Sequence, residues 1–469
     1  MTRKVVITGL GPVTPIGIGK NDLWRAVQNE VYVCGPAKSN DFSKYGNLQT
    51  AEIHDFDLSG FFQRDLQAGK FDKKLFNRVN KECDKAIQFG VLATKLALED
   101  SHLDYNPHEN SIAVYLGNAD GCVQLYEKQI ELAFQGIIKK IFDSFSGLLK
   151  PFSLFKARRA FKEYASLFHE ENLPEFVAFL HEKYGTIHQL APTRTIDFKL
   201  YSIPARVASM FSLHGPSMAV NSACASGLDA IGQAFHLIKS GYSNVDIAVC
   251  GGSEAPISLE VLAALDNLGV ISKTRPCPYD EYRDGFALGE GAGMIVLEEL
   301  EHAKKRNAKI YAEVAGYSQS NDAGRNITVL HPEGKFLKKA IESAISEAGI
   351  SREEVTYINS HGTATQDCDK VETVVVKSVF GDHAYNLNIS STKPMTGHSF
   401  GAVGGIESII TSLAISSSVV PPTLNLENQS PECDLNYTPN HAVDREIPAA
   451  LITSMGFGGY NSALVLKKL

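Results

Sequence analysis

The chain has 469 residues, of which 44% are apolar and 21% are charged, a composition typical of a folded globular protein. Its length exceeds the roughly 250 to 300 residues at which a single hydrophobic core usually stops growing, so we expect two core-forming units. The net charge of -8 provides no overall attraction to nucleic acid or to an acidic membrane surface.

The eight cysteines form no CxxC pair and no close cysteine and histidine set with zinc-ligand spacing, so we expect neither disulfides nor a metal site. The opening run, MTRKVVITGLGPVTPIG, joins a basic start to apolar residues, but Gly9, Gly11 and Pro12 interrupt it. We interpret this run as a strand and not as a signal peptide. No segment reaches the roughly 18 consecutive apolar residues of a membrane span, and we therefore expect a cytoplasmic protein.

Short β-rich runs alternate with helical patterns along the first half of the chain. KVVITGL, SIAVYLG, SMAVNSA and VDIAVCGG are typical of strands, and residues 80–100 are typical of a helix. The second half repeats this order with GMIVLEEL, KIYAEVAGYS, VTYINSHGT, NLNISS and ALITSMGFGG, and with helices at 333–348 and after Gly404. The order predicts an α/β protein with two halves, residues 1–270 and 271–469, that are similar in element order and not in residue identity.

Residues 137–184 do not follow this alternation. The segment is rich in phenylalanine, its apolar residues recur at helical spacing, and it concentrates lysine and arginine in an otherwise acidic chain. We interpret it as an insertion. Two roles remain open for it, a helical cap with a solvated face or a docking surface for an acidic partner.

The run SMAVNSA leads directly to Cys224, and an amphipathic helix follows, with Gly227 permitting close approach at the turn. A thiol at a helix N-terminus lies at the positive end of the helix dipole, which lowers the thiol pKa, and the free backbone N–H groups there can hold an oxyanion. The spacing predicts a nucleophile. A small cysteine buried in the core would have the same local pattern.

Two histidines occupy similar turns after strands. His361, in INSHGTATQDCDKVET, precedes a helix on which Asp369 and Glu372 share one face. His398, in STKPMTGHSFGAVGG, follows Lys393 and precedes a glycine-rich helix start. A single histidine at a strand end is often structural, but two in equivalent turns indicate a shared site.

The last motif is SMGFGGYN, with three glycines around Phe457. It is typical of a backbone that must approach a ligand closely, or of a plain hairpin.

Together the motifs resemble the β-ketoacyl-acyl carrier protein synthase family, in particular its elongating type II synthases and the ketosynthases of type II polyketide systems. The resemblance rests on CASG at Cys224, RDGFALGEGAG from Arg283, HGTAT at His361, DKVET from Asp369, TKPMTGH ending at His398 and GFGGYN from Gly456. It covers nearly the whole chain apart from the insertion. It implies a thiolase fold, in which two duplicated α/β halves form a five-layered αβαβα arrangement, and it implies a dimer.

The resemblance also implies a mechanism. Cys224 would take an acyl chain from the phosphopantetheine arm of an acyl carrier protein as a thioester. His361 and His398 would hold the thioester oxygen of a malonyl unit while decarboxylation produces an enolate, which attacks the acyl-cysteine. Backbone N–H groups of Cys224 and Phe457 would form the oxyanion hole. Neither a metal nor a resident cofactor is implied, because phosphopantetheine arrives on the carrier protein.

Matching motifs imply supporting roles as well. Lys393 and Glu372 would form a charged pair that orients the histidines, with Asp369 nearby. The hydroxyls of Thr363 and Thr365 would contact the pantetheine arm.

Residues around the acyl pocket depart in part from the family pattern. Phe457 matches a gating aromatic beside the pocket. Met455 stands where elongating synthases commonly carry phenylalanine, Tyr460 replaces a common threonine, and Phe400 alters the surroundings of His398. The acyl-chain preference therefore stays open, and the resemblance implies that Met455 and Phe400 contact the substrate.

Three other functions are compatible with parts of this pattern. A non-catalytic partner subunit of the chain-length-factor kind would keep the fold but lack the nucleophile, and Cys224 with its two histidines argues against it. A thiolase would need a second cysteine in the GFGG motif, and a cysteine hydrolase would need a different set of partners. The insertion and the substitutions favour specialised polyketide or polyene biosynthesis over fatty acid elongation. The dimer would be a homodimer, or a heterodimer with a chain-length-factor homologue.

Overall fold

The structure is a computed structural model and describes residues 3–38, 46–124, 199–324 and 326–469. The predicted insertion at 137–184 lies outside the described residues.

The described strands are β1 Val5–Thr14, β2 Gly17–Ile18, β3 Gly35–Pro36, β4 Gln49–Ala51, β5 Ala113–Gly117, β6 Ser217–Val220, β7 Ile247–Glu254, β8 Leu288–Gly289, β9 Gly291–Glu299, β10 Ala312–Asn321, β11 Val355–Asn359, β12 Asn388–Ser390, β13 Val419–Val420, β14 Val443–Asp444, β15 Ala449–Gly456 and β16 Tyr460–Lys467. The described α-helices are Lys20–Gln28, Leu58–Gln67, Lys73–Glu82, Lys85–Ser101, Ser202–Phe211, Ser226–Ser240, Leu259–Leu268, Leu300–Lys305, Lys335–Ala348, Gln366–Phe380, Lys393–Thr396 and Val403–Ser417.

Ten of these strands form two copies of one topology. The first copy has the spatial order β6-β5-β7-β9-β1, and the second has the order β12-β11-β15-β16-β10. In each copy the first two pairings along the order are parallel and the last two are antiparallel. The copies join where β1 pairs antiparallel with β10. The expected duplication of element order is therefore present in the structure.

The topology differs from the sequence-based division of the halves at 270/271. Strand β9 falls in the second half of that division, but it pairs with β1 and β7 of the first copy. Its apolar run GMIVLEEL carries no information about which neighbours it will meet. The topology places the division after β9.

Helices fill the layers outside and between the two copies. The helix Lys85–Ser101 packs on β1, β7 and β9, and the helix Lys335–Ala348 packs on β10 and β16. Ser226–Ser240, which we call the nucleophile helix, and Val403–Ser417, the histidine helix, pack on each other and contact strands of both copies. The result is the expected five-layered αβαβα order of the thiolase fold.

The histidine helix belongs to the central layer. The window Phe400–Ser417 is long and apolar enough to cross a membrane by composition, yet 83% of it is buried within the protein. An all-round apolar helix of this kind is typical of a protein core.

The two central helices touch backbone to backbone where they begin. A Cβ added to Gly404 would lie 2.3 Å from the backbone N of Leu228, and one added to Gly227 would lie 2.6 Å from the carbonyl oxygen of Gly401. Because glycine has no Cβ, the helix starts can approach this closely. This contact brings together the turns that precede the two helices.

The single helix predicted over residues 80–100 is two helices, Lys73–Glu82 and Lys85–Ser101. The break falls at Cys83 and Asp84 because the Asp84 side chain caps the second helix, accepting a hydrogen bond from Ala86 N at 2.8 Å.

Candidate active site

Cys224 lies in a tight turn between β6 and the nucleophile helix. The residue before it, Ala223, has φ +52°, an uncommon backbone conformation for a residue other than glycine. Ser226 Oγ donates to Ala223 O at 2.5 Å and accepts from Ser222 N at 2.9 Å, and the Ser222 hydroxyl donates to Asp229. These bonds hold the turn that presents the thiol.

The structure brings the three predicted reactive residues together. His398 Nε2 lies 3.1 Å from Cys224 Sγ. The ring centroids of His361 and His398 are 5.4 Å apart with an interplanar angle of 86°. Each residue follows the C-terminal end of a different strand, β6, β11 or β12.

Burial sets the protonation of the three groups. It lowers the pKa of His361 and of His398 well below the ordinary value, and Lys393 adds to this effect, so both rings are neutral near pH 7. Burial raises the pKa of the Cys224 thiol to about 12, with Asp120 adding and Lys393 opposing. The expectation of a lowered thiol pKa is therefore wrong, because desolvation outweighs the helix terminus. A protonated thiol beside a neutral imidazole can pass its proton to Nε2.

Two aromatic rings pack around His398. The centroid of Phe286 lies 4.9 Å from that of the imidazole and the centroid of Phe400 lies 5.2 Å away, both in edge-to-face geometry. Within the described residues, Nδ1 of His398 has no hydrogen-bond partner. Ring packing therefore orients His398. Phe286 lies within the motif RDGFALGEGAG, but the motif alone does not indicate that this ring packs on His398.

Glu372 holds the backbone that carries His361. Its Oε1 accepts from His361 N at 2.9 Å and from Thr453 Oγ1 at 2.6 Å, and its Oε2 accepts from Gly362 N at 3.0 Å. The predicted support of the histidine by Glu372 is thus a set of bonds to the main chain.

The predicted pair between Lys393 and Glu372 is wrong. Lys393 Nζ lies 2.6 Å from Glu407 Oε1, and both side chains are almost completely buried. Burial raises the pKa of Glu407 to about 7, with Lys393 opposing. The sequence does contain an indication of this partner, because Glu407 is the one acid in an otherwise uncharged helix, and a buried carboxylate needs a cation or several donors.

Asp369 shapes the turn after His361. Its Oδ1 accepts from Ala364 N at 3.1 Å, its Oδ2 accepts from Tyr279 N at 2.7 Å, and Arg283 Nε lies 3.7 Å away. Ala364 has φ +60°, so this turn also carries a strained residue. Asp369 thus contacts the turn that follows His361, and none of these bonds reaches either histidine ring.

A cavity of about 300 Å³ opens onto the reactive residues. Eight residues that the sequence analysis assigned to catalysis or substrate binding line it, namely Cys224, His361, Thr363, Thr365, His398, Phe400, Met455 and Phe457. The lining of the cavity does not include Lys393, Glu372 or Asp369, which lie behind the residues of its wall. Its size falls at the lower end of small-molecule sites.

The end of β15 runs against the nucleophile turn. A Cβ added to Gly456 would lie 2.7 Å from Ser222 O and 3.1 Å from Cys224 N. Phe457 follows directly and packs against the apolar cluster that contains Cys224. Gly456 therefore allows the backbone to pass close to the nucleophile turn, and residues 457–459 connect the antiparallel strands β15 and β16 as a hairpin, the second of the two interpretations that the sequence left open.

Comparison with known protein families agrees with this geometry. The family model described as "Beta-ketoacyl synthase, N-terminal domain" matches residues 2–149 and 178–303, and the model described as "Beta-ketoacyl synthase, C-terminal domain" matches residues 311–427. The unmatched residues 150–177 fall within the predicted insertion.

Full-length relatives and solved structures give the same answer. The chain is 34% identical to a 3-oxoacyl-acyl-carrier-protein synthase 2 of Synechocystis sp. and 34% identical to a polyketide beta-ketoacyl synthase of Streptomyces halstedii, in each case over 99% of this chain and 98% of the relative. A type II polyketide ketosynthase, solved with its acyl carrier protein and bound to the hexaketide, is similar with TM-score 0.80 and 27% identity over all of both chains. The ishigamide ketosynthase/chain length factor has TM-score 0.79 and 26% identity, also over all of both chains. The chain therefore belongs to the β-ketoacyl synthase family.

Proposed function

We propose that this chain condenses an acyl unit held on Cys224 with a malonyl unit on an acyl carrier protein, releasing carbon dioxide and leaving a β-ketoacyl chain on the carrier. The 3.1 Å contact between Cys224 Sγ and His398 Nε2, at the base of a cavity that also contains His361, carries the proposal. Because Cys224, His361 and His398 are all present, a catalytic role is favoured over that of a non-catalytic partner subunit.

The first step is transfer of the acyl chain to the enzyme. Sulfur attacks the thioester carbonyl as the Cys224 proton passes to His398 Nε2. The tetrahedral oxyanion is held by the backbone N–H groups of Cys224 and Phe457. Its collapse releases the phosphopantetheine thiolate, which takes up from His398 the proton that Cys224 gave.

The second step forms the carbon-carbon bond. Each neutral imidazole carries one N–H, so His361 and His398 can each donate to the malonyl thioester oxygen when the proton is on the nitrogen that faces the cavity. His398, which accepts the thiol proton on Nε2 in the first step, therefore changes tautomer between the two steps. The malonyl carboxylate leaves as carbon dioxide, and the resulting enolate is stabilised by these two donors. Its carbon attacks the acyl-cysteine, and the Cys224 thiolate leaves and takes up one proton from solvent.

The remaining predicted residues support substrate and catalyst. The hydroxyls of Thr363 and Thr365, 2.9 Å apart in the cavity wall, would bind the pantetheine arm. Phe400, Met455 and Phe457 would contact the acyl chain from the same cavity.

The partner is an acyl carrier protein, which delivers the phosphopantetheine, and the reaction needs no resident metal or redox cofactor.

We infer a cytoplasmic dimer. Strand β6 ends the main sheet of the described residues, and its Met218 is 46% exposed, so this edge can receive a second chain. The partner chain would be a second copy or a chain-length-factor homologue. Specialised polyketide or polyene biosynthesis remains our preferred pathway over fatty acid elongation.

Intact-protein mass spectrometry tests the proposal. The native chain is incubated with a panel of acyl carrier protein thioesters, followed by malonyl carrier protein, and compared with Cys224→Ala. A matched control is Cys250→Ala, because Cys250 is fully buried in β7, away from the cavity. We expect a mass increase equal to the acyl group in the native and control chains and none in Cys224→Ala. Absence of acylation from every donor, with and without a chain-length-factor homologue, would favour the non-catalytic subunit.

A further inference from the structure

Tyr279 is fully buried behind the active site and contacts both acids of the DKVET motif. Its backbone N donates to Asp369 Oδ2 at 2.7 Å. Its hydroxyl lies 3.0 Å from Glu372 Oε2 and 2.6 Å from Ser360 Oγ. Its ring stacks on Tyr437 with centroids 3.7 Å apart and an interplanar angle of 14°. The position of the hydroxyl is therefore fixed on every side.

The single proton of the Tyr279 hydroxyl is shared between Ser360 Oγ at 2.6 Å and Glu372 Oε2 at 3.0 Å, and three further donors surround the Glu372 carboxylate. Oε1 accepts from His361 N and Thr453 Oγ1, and Oε2 accepts from Gly362 N and from the Tyr279 hydroxyl. A Cβ added to Gly362 would lie 2.8 Å from the Tyr279 hydroxyl oxygen. The phenol thus packs directly against the peptide that follows His361.

His361 depends on its main chain for its position. Its Nδ1 is buried and has no hydrogen-bond partner in the part of the chain that the structure describes. A metal-free imidazole without such an anchor is placed by its backbone and by packing. Its backbone is held by Glu372, and Glu372 is held in turn by Tyr279.

We propose that Tyr279 is a positioning residue for His361, acting through its hydrogen bond to Glu372. Without the hydroxyl, Oε2 keeps a single donor and the carboxylate can rotate, which releases the peptide between His361 and Gly362. The displaced imidazole would no longer donate to the thioester oxygen of the malonyl unit. The inference rests on the proposed condensation, because it assigns His361 to the second step and not to acylation of Cys224.

Tyr279→Phe tests the inference, because it removes the hydroxyl and retains the stacked ring. We expect acylation of Cys224 to stay within about twofold of the native rate, and kcat for condensation with malonyl carrier protein to fall about tenfold with little change in KM. The matched control is Tyr437→Phe, which loses a buried hydroxyl that lies 2.6 Å from Thr373 Oγ1 in the same ring stack. We expect condensation by that variant to stay within about twofold of native.

A second measurement separates positioning from general loss of structure. If Tyr279 acts through Glu372, the tyrosine substitution should lower kcat less than about threefold when Glu372→Gln is already present. Equal losses in acylation and condensation, or equal losses in the Tyr279→Phe and Tyr437→Phe variants, would overturn the inference. Normal acylation and an unchanged condensation rate in Tyr279→Phe would overturn this inference and leave the proposed function standing. Absence of acylation in the native chain would overturn both the proposed function and this inference.

Discussion

Removal of the Lys393 charge is the most direct test of how the site is supported. The side chains of Lys393 and Glu407 are 2% and 1% exposed, with Nζ and Oε1 2.6 Å apart. Lys393→Met leaves the carboxylate of Glu407 buried without its cation, a change that costs about 3–5 kcal/mol of unfolding free energy when the carboxylate is ionised. A volume-matched apolar side chain adds no cavity, so the loss is electrostatic.

The loss should depend on pH. Burial raises the folded pKa of Glu407 to about 7 from an ordinary value of 4.5, with Lys393 opposing, so the variant raises it further. A carboxyl whose folded pKa is raised binds a proton more tightly in the folded state, so its burial costs nothing below the unfolded pKa. In the native protein this cost grows between pH 4.5 and about 7, and in the variant it continues to grow above about 7, because the folded pKa of Glu407 is higher there. Lys393→Met should therefore destabilise the protein more at a pH of about 8 than at about 5.

Urea unfolding at both pH values, for Lys393→Met, Glu407→Gln and the double variant, measures the effect. We expect the double variant to recover about 1–3 kcal/mol relative to the sum of the single losses. The same cycle with Glu372→Gln should show a smaller coupling, because Glu372 accepts from the main chain and Thr453. Equal destabilisation at both pH values, or stronger coupling of Lys393 to Glu372, would refute the electrostatic argument.

Three further predictions concern the thiol, the helix crossing and the sheet edge. Alkylation of Cys224 by iodoacetamide, followed by peptide mass spectrometry, should accelerate with rising pH up to about 10 without a plateau, because burial raises the thiol pKa to about 12; a plateau near neutral pH would mean a resting thiolate. Gly404→Ala should lower the unfolding free energy by about 1–3 kcal/mol and slow condensation, because the added Cβ would lie 2.3 Å from Leu228 N. Gly35→Ala is its control, since no described atom lies within 4 Å of the added Cβ, and equal losses in the two variants would refute the close-contact argument. Met218→Asp should lower the mass measured by light scattering from dimer to monomer, and an unchanged mass would place the dimer contact elsewhere.

Local patterns predicted the elements that carry the site. The strands predicted at KVVITGL and VTYINSHGT are present as β1 and β11, and His361 lies in the turn after β11. These predictions depended on apolar alternation and on a glycine turn, which are properties of neighbouring residues. The resemblance of the motifs to the ketosynthase family then predicted that the cysteine and both histidines share one site. These steps needed no knowledge of which elements meet in space.

The errors fall where distant parts of the chain meet. Lys393 precedes Glu407 by fourteen residues and follows Glu372 by twenty-one, and neither spacing indicates which acid lies across from it. The prediction of a lowered thiol pKa failed for the same reason. The position of Cys224 before a helix can be read from neighbouring residues, whereas the desolvation that raises its pKa depends on packing from both halves. The division of the halves failed likewise, since the partners of β9 are set by the sheet.

The duplicated topology explains why the site forms at all. Cys224 follows the third strand of the first copy and His398 follows the third strand of the second, and each precedes a helix of the central layer. Equivalent turns, 174 residues apart, therefore meet where those helices cross. The turn after β11 brings the other histidine, and its counterpart after β5 carries Asn118. Asn118 Nδ2 donates to buried Glu254 at 2.8 Å, and Glu254 also accepts from Gly401 N at 3.2 Å, beside the His398 turn. Three of the four converging turns supply reactive groups, and the fourth braces them.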